Sequence, residues 1–152
     1  DWGINLYSDI RAHFAVTDGS RQQDLLTGFQ NFSVMTYHVP ATRVMFGLRS
    51  SVRVNLFGPQ GRGDDMELYL APELAYQITP KVAFTLLYEM GASHRFGDRA
   101  FFFTNDGTDL EPGVSWDITE NLNVNPYLNI LTGSKVSLRT TSVGMFLNWA
   151  IL

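Results

Sequence analysis

The sequence predicts an all-β fold: an eight-stranded antiparallel up-and-down β-barrel that spans a membrane, as one domain over residues 1–152. Three observations predict it. Apolar and polar residues alternate with a period of two through long segments. Short and long connections alternate between those segments. The composition is 45% hydrophobic but only 17% charged, where an ordinary soluble domain is about a quarter charged.

A strand sends successive side chains to opposite faces, so residues of one number parity share a face. In the first segment Trp2, Ile4, Leu6, Ile10, Ala12, Phe14 and Val16 take even positions, while Asn5, Asp9, Arg11 and His13 take odd ones, with Tyr7 among them. A helix would scatter both sets around its circumference. The second strand, around Phe29 to Val39, alternates weakly and is expected partly because the topology needs a strand there. In the third, Val44, Phe46, Leu48, Val52, Val54 and Leu56 oppose Arg43, Arg49, Ser51, Arg53 and Asn55. In the fourth, Met66, Leu68, Leu70, Leu74, Tyr76 and Ile78 oppose Glu67, Glu73 and Gln77. The fifth sets Val82, Phe84, Leu86, Tyr88 and Met90 against Ala83, Thr85 and Glu89. The sixth sets Leu110, Val114, Trp116 and Ile118 against Asp109, Glu111, Ser115 and Asp117. The seventh sets Leu122, Val124, Leu128 and Ile130 against Asn123, Asn125 and Asn129. The last reverses parity: Val143, Met145, Leu147, Trp149 and Ile151 oppose Ser142, Gly144, Asn148 and Ala150, with Phe146 the exception.

The connections keep their own rhythm. Val39 to Thr42, Ile78 to Lys81 and Ile118 to Asn121 are tight turns rich in Pro, Thr and Asn. Between them lie longer loops at Thr17 to Leu26, Gly58 to Asp65 and Gly91 to Thr108, and a short one at Thr132 to Lys135. Short turns at one end and longer loops at the other suit a bacterial outer-membrane barrel, with both termini on the periplasmic side.

A soluble sandwich or lipocalin-like barrel also alternates its faces, with the apolar parity inside. Strand length and aromatic placement favour the inverted arrangement. The segments run about 11 to 15 residues, where soluble strands average nearer 5 or 6 and a tilted membrane strand needs about 9 to 11 in hydrocarbon. Trp2, Tyr76, Trp116 and Trp149 fall near the short-turn end of the apolar face, and Phe14 and Tyr88 toward the loop end, as two interfacial girdles would. The polar parity carries Asp9, Arg49, Glu73, Glu89 and Glu111 at similar depths, with Arg11 and Arg53 somewhat nearer the loops. Inside a small barrel whose lumen side chains can fill, these form an arginine–carboxylate network, each guanidinium offering a fork of donors. Because lipid offers no partner to a sheet edge, the first strand is expected to pair with the last.

On these features (strand and loop rhythm, aromatic girdles, and the cluster Arg49, Arg53, Glu73, Glu89 and Glu111) nearly the whole chain resembles the OmpA-like transmembrane domain. That resemblance implies a membrane anchor with a blocked or barely leaking interior, and surface loops that meet other cells, phage or host molecules. The chain ends Trp149-Ala150-Ile151-Leu152 rather than on the class's terminal aromatic, which points to an atypical insertion signal or to a further periplasmic segment. It begins at Asp1 without methionine, as a mature product would.

Other chemistry finds little support. There is no cysteine, hence no disulfide, thiolate metal site or cysteine nucleophile. A net charge of −4 argues against nucleic acid as a partner. No cofactor and no metal is expected; Asp64, Asp65 and Glu67 suit a solvated acidic loop better than a calcium site. Lipid A deacylases, which share this small-barrel architecture, use a His and a Ser two apart. Ser93 and His94 are adjacent, on opposite faces, so no catalytic residue and no enzyme is expected. His13 and His38 are structural or interfacial. Arg62-Gly63-Asp64 spells an adhesion tripeptide in a loop where Gly and Asp are ordinary. Phe101, Phe102 and Phe103 form the candidate loop contact, since consecutive exposed aromatics often mark one, with self-packing of the loop or a strand extension as the alternative. Two functions remain: a sealed anchor and surface-interaction protein, or a narrow channel or small-molecule conduit. The near balance of Arg against Asp and Glu favours sealing, because a selective pore tends to carry one sign in excess. The expected partners are outer-membrane lipid, a surface or periplasmic protein, and a second copy of the chain.

Overall fold

The computed structural model describes residues 3–98, 102–132 and 140–150. Eight antiparallel strands form one sheet in sequence order: β1 (Ile4–Phe14), β2 (Leu25–His38), β3 (Val44–Phe57), β4 (Asp64–Thr79), β5 (Val82–Arg95), β6 (Thr104–Thr119), β7 (Leu122–Leu131) and β8 (Thr141–Trp149). Every ladder joins neighbours in sequence, as tight turns between alternating segments require. The short turns close by local bonds. The backbone N–H of Thr42 donates to the Val39 carbonyl at 3.2 Å. Thr79 Oγ1 accepts from the Lys81 N–H, and Thr119 Oγ1 from the Asn121 N–H, each at 3.3 Å.

The sheet is strongly curled. Arg49 on β3 and Phe146 on β8 line one small void. In a flat sheet those strands would stand about 24 Å apart, at roughly 4.8 Å per neighbour. The curl encloses the odd-numbered face of the central strands. Among the described residues the buried apolar side chains are Ala71, Ala75 and Leu87, and the buried polar or charged ones are Ser51, Asn55, Thr85, Ser93, His94 and Glu111. All but His94 are odd-numbered. The convex face carries the large apolar side chains: Leu6 is 73% exposed, Ile10 79% and Val143 80%. The molecule is therefore polar inside and apolar outside.

Several elements differ from the sequence expectation. Residues 17–22 are not plain loop. Thr17 caps a one-turn helix, α1 (Asp18–Gln22), by accepting from the Ser20 N–H, while Ser20 returns a bond to the Thr17 backbone. The third loop is shorter than Gly91 to Thr108, because polar residues there continue the ladder: Gly91 pairs with Gly107, Ala92 with Asn105 and Ser93 with Thr104. β2 is longer than expected, starting at Leu25. The second loop is also slightly shorter than Gly58 to Asp65, because β4 opens at Asp64. The Thr132 to Lys135 connection falls largely outside the described residues. No ladder joins β1 to β8 among the described residues, so the expected pairing of first and last strands is not part of the described structure. Both of these strands are exposed on both faces for most of their length.

Candidate functional site

The interior is built in tiers by strand register. Nearest the loops, Arg53 Nε donates to Asn55 Oδ1 at 3.0 Å, and Asn55 Nδ2 donates to Glu67 Oε1 at 2.9 Å and to the Asp64 carbonyl at 2.8 Å. Arg53 also lies 3.7 Å from Glu67. One tier lower the Tyr69 hydroxyl donates to Glu89, and Asn129 Nδ2 donates to Glu111 at 2.7 Å and to Asp109 at 3.3 Å. Below these Arg49 donates to Glu73 Oε2 at 2.9 Å. Gly47 sits opposite Glu73; a Cβ there would come within 3.1 Å of the Glu73 Cβ, so the missing side chain makes room for the carboxylate.

The expected seven-residue network is therefore divided. Arg49–Glu73 and Arg53–Glu67 are the interior ion pairs. Glu89 and Glu111 are held by neutral donors, Tyr69 and Asn129. Asp9 and Arg11 pair with each other two residues apart on β1, with Arg11 NH2 2.9 Å from Asp9 Oδ2. The Tyr7 hydroxyl adds a bond to the same oxygen at 2.7 Å. The Arg11 guanidinium lies 4.8 Å from the Phe32 ring centroid. No single arginine gathers the carboxylates, because the described bonds run between adjacent strands or along one.

Two aromatics complete the interior that charge counting missed. Tyr127 stacks on Phe146 with centroids 4.9 Å apart and rings 15° from parallel. The register puts Tyr127 directly opposite Gly144, and a Cβ on Gly144 would stand 2.3 Å from the Tyr127 Cζ. Phe146 breaks the apolar parity of β8 for this reason: it belongs to the inner face. With Leu87, Arg49 and Glu111 the stack surrounds a void of about 20 Å³, room for about one water molecule. Toward the short turns the interior widens into a vestibule of about 540 Å³, lined by His38, Arg43, Gln77, Asn123, Asn125 and Asn148 among others.

The remaining candidate residues are placed as follows. Tyr76, Trp116 and Trp149 stand exposed near the short-turn end of the outer face, opposite Phe84, Val82 and Leu122 respectively. Phe14 is exposed at the loop end, and Tyr88 is half-buried opposite Leu110. Trp2 and Phe101 lie outside the described residues. His13 Nε2 pairs with Gln30 Oε1 at 3.1 Å. Ser93 and His94 do face opposite ways: the Ser93 hydroxyl donates to Asp106 at 2.7 Å, and His94 Nδ1 meets Asp65 Oδ1 at 2.6 Å. Arg62 and Gly63 sit in the turn before β4, where the Arg62 N–H donates to the Gln23 carbonyl at 3.0 Å. Phe102 is 75% exposed, whereas Phe103 lies against the His94 ring at 5.9 Å. No cluster of three metal-ligating side chains occurs among the described residues.

Compared with models of known protein families the chain matches none, and comparison with curated proteins likewise finds no match.

Proposed function

We propose that this chain is an integral protein of a bacterial outer membrane, with both termini periplasmic, serving as a structural anchor and surface-interaction protein with a plugged lumen. The plug is the arginine–carboxylate and amide network, braced by the Tyr127–Phe146 stack. The inverted burial carries this reading. The chain buries Ala71, Ala75 and Leu87 while exposing a belt of Leu, Ile, Val, Phe and Trp. In water such a belt would cost about 25 cal/mol per Å² and exceed the few hundred Å² that soluble monomers usually leave exposed. In hydrocarbon the cost disappears. Strands of 9 to 16 residues span the roughly 9 to 11 needed at a 45° tilt. The membrane also demands that β1 and β8 pair, since an open edge in lipid leaves backbone groups without partners. The curl that brings β3 and β8 to one void supports that closure. Lipid is then the first partner. The loop end, where Phe102 projects, is the surface for a second, either another protein or another copy of the chain.

Boiled and unboiled electrophoresis of the refolded chain, with circular dichroism, tests this proposal. The expected result is an all-β species that needs detergent and shifts on boiling. A monomer that stays soluble without detergent would overturn it. The vestibule favours a second reading, a narrow conduit. Planar-bilayer recording separates the two. The wild type is expected to be silent, and Tyr127→Ala with Phe146→Ala is expected to conduct. Steady conductance by the wild type would replace the anchor with the channel.

A further inference from the structure

The outer face is not uniformly convex. Two adjacent rows of side chains cross four strands on it. One row runs Val52, Leu68, Ala92 and Asn105; the other runs Ser50, Leu70, Met90 and Thr108. Small side chains at Ser50 and Ala92 stand among larger ones, and the result is a groove of about 500 Å³ lined by these residues. That volume falls within the range of about 300–1,000 Å³ typical of ligand clefts. No Asp, Glu, Lys or Arg lines it.

The loop end of the groove is built rather than merely open. Phe103 lines the groove and packs on the His94 ring. His94 belongs to the next outer row, opposite Met66, and is buried. Its Nδ1 is tied to Asp65 at 2.6 Å. A buried, hydrogen-bonded histidine on an otherwise apolar face costs desolvation unless something fixes it there. Here it holds an aromatic ring at the end of the groove.

Position identifies the occupant. Leu70 lies six residues up β4 from Tyr76 of the short-turn girdle. At about 3.3 Å per residue and a tilt near 40°, that is roughly 15 Å along the membrane normal, past the middle of an apolar band about 25 Å tall. The groove is thus in the leaflet nearer the loops. We infer that it seats one acyl chain of an outer-leaflet lipid, with the Phe103–His94–Asp65 latch marking the head end. Asn105, in the row next to the latch, offers its amide to an ester or amide oxygen of the lipid. This inference rests on the membrane-barrel function proposed above.

Native mass spectrometry of the full refolded chain, released from micelles containing palmitoyl-oleoyl phosphatidylcholine, tests it. The wild type is expected to retain one phospholipid. Ala92→Phe fills the groove and is expected to lower retention about tenfold, the scale of one lost apolar contact set. Phe103→Ala should lower it less. Val114→Phe, also on the outer face but away from the groove, should leave it unchanged. Heat-modifiability of each variant shows that the barrel has formed. If the barrel forms but lipid is not retained, or is retained equally by Ala92→Phe, the groove is not a lipid seat while the barrel stands. Retention of free palmitate but not phospholipid would overturn the assignment to a bilayer lipid. If the chain forms no detergent-dependent barrel, both proposals fall together.

Discussion

The central strands β3 to β6 and the edge strands β1 and β8 carry the same alternating pattern but meet different fates. In the centre the odd-numbered face is enclosed: Ala71, Thr85, Leu87 and Glu111 are buried. On β1 the equivalent residues Tyr7, Asp9 and Arg11 satisfy one another and remain open to solvent. Alternation therefore decides which face a residue occupies. Enclosure comes from neighbours on both sides and from curl, and among the described residues β1 and β8 have a neighbour on one side only. The ion pairs follow suit: the Arg49 and Glu73 side chains are 35% and 12% exposed, against 47% and 25% for Arg11 and Asp9.

Three substitutions sharpen this contrast. Arg49→Met should have the largest effect, because it strands the enclosed Glu73 carboxylate. Allowing for the partial exposure of the arginine, the expected loss is about 2 kcal/mol in denaturant unfolding from micelles. A cost near zero would mean that water reaches Glu73 freely. Gly144→Ala comes next. The new methyl displaces the Tyr127 ring from its stack on Phe146, for about 1–2 kcal/mol and a looser interior. The unfolding midpoint checks the first effect, and near-ultraviolet circular dichroism of the tyrosine checks the second. Arg11→Met should have the smallest effect, since Asp9 keeps the Tyr7 hydroxyl as a donor when the guanidinium is gone and the pair is the more exposed of the two. A loss matching that of Arg49→Met would show that Tyr7 alone does not hold the Asp9 carboxylate.

Much of the fold is legible in the sequence because the period of two survives intact where one face meets a uniform environment. Parity assigned Ser51, Thr85 and Glu111 to the inner face, and the short turns appear where Pro, Thr and Asn cluster. What stayed hidden depends on register. Sliding one strand by two residues preserves alternation yet changes every cross-strand partner. Glu67 as the partner of Arg53, Tyr69 on Glu89, and Asn129 on Glu111 follow only once the ladders are known. Phe146 seemed an exception for the same reason: its explanation is Tyr127 across from Gly144. The α1 turn was missed because its N3 residue is Ser20, where the usual signature has Glu or Gln. The third loop was overestimated because Gly91, Ser93 and Asn105 are weak strand formers that pair nonetheless, as continuations of strong strands.

The inverted burial also bears on how stability responds to temperature. A water-soluble domain gains heat capacity on unfolding, about 12–15 cal/mol/K per residue, because apolar groups leave a dry core for water. Here, among the described residues, the buried groups are mostly polar (Ser51, Asn55, Thr85, Ser93, His94 and Glu111), and most of the large apolar side chains lie outside. Hydrating polar groups lowers heat capacity rather than raising it. With the outer apolar groups left in detergent on unfolding, the heat-capacity change should therefore be small, and the free energy of this fold should follow a flatter curve against temperature than that of an ordinary domain.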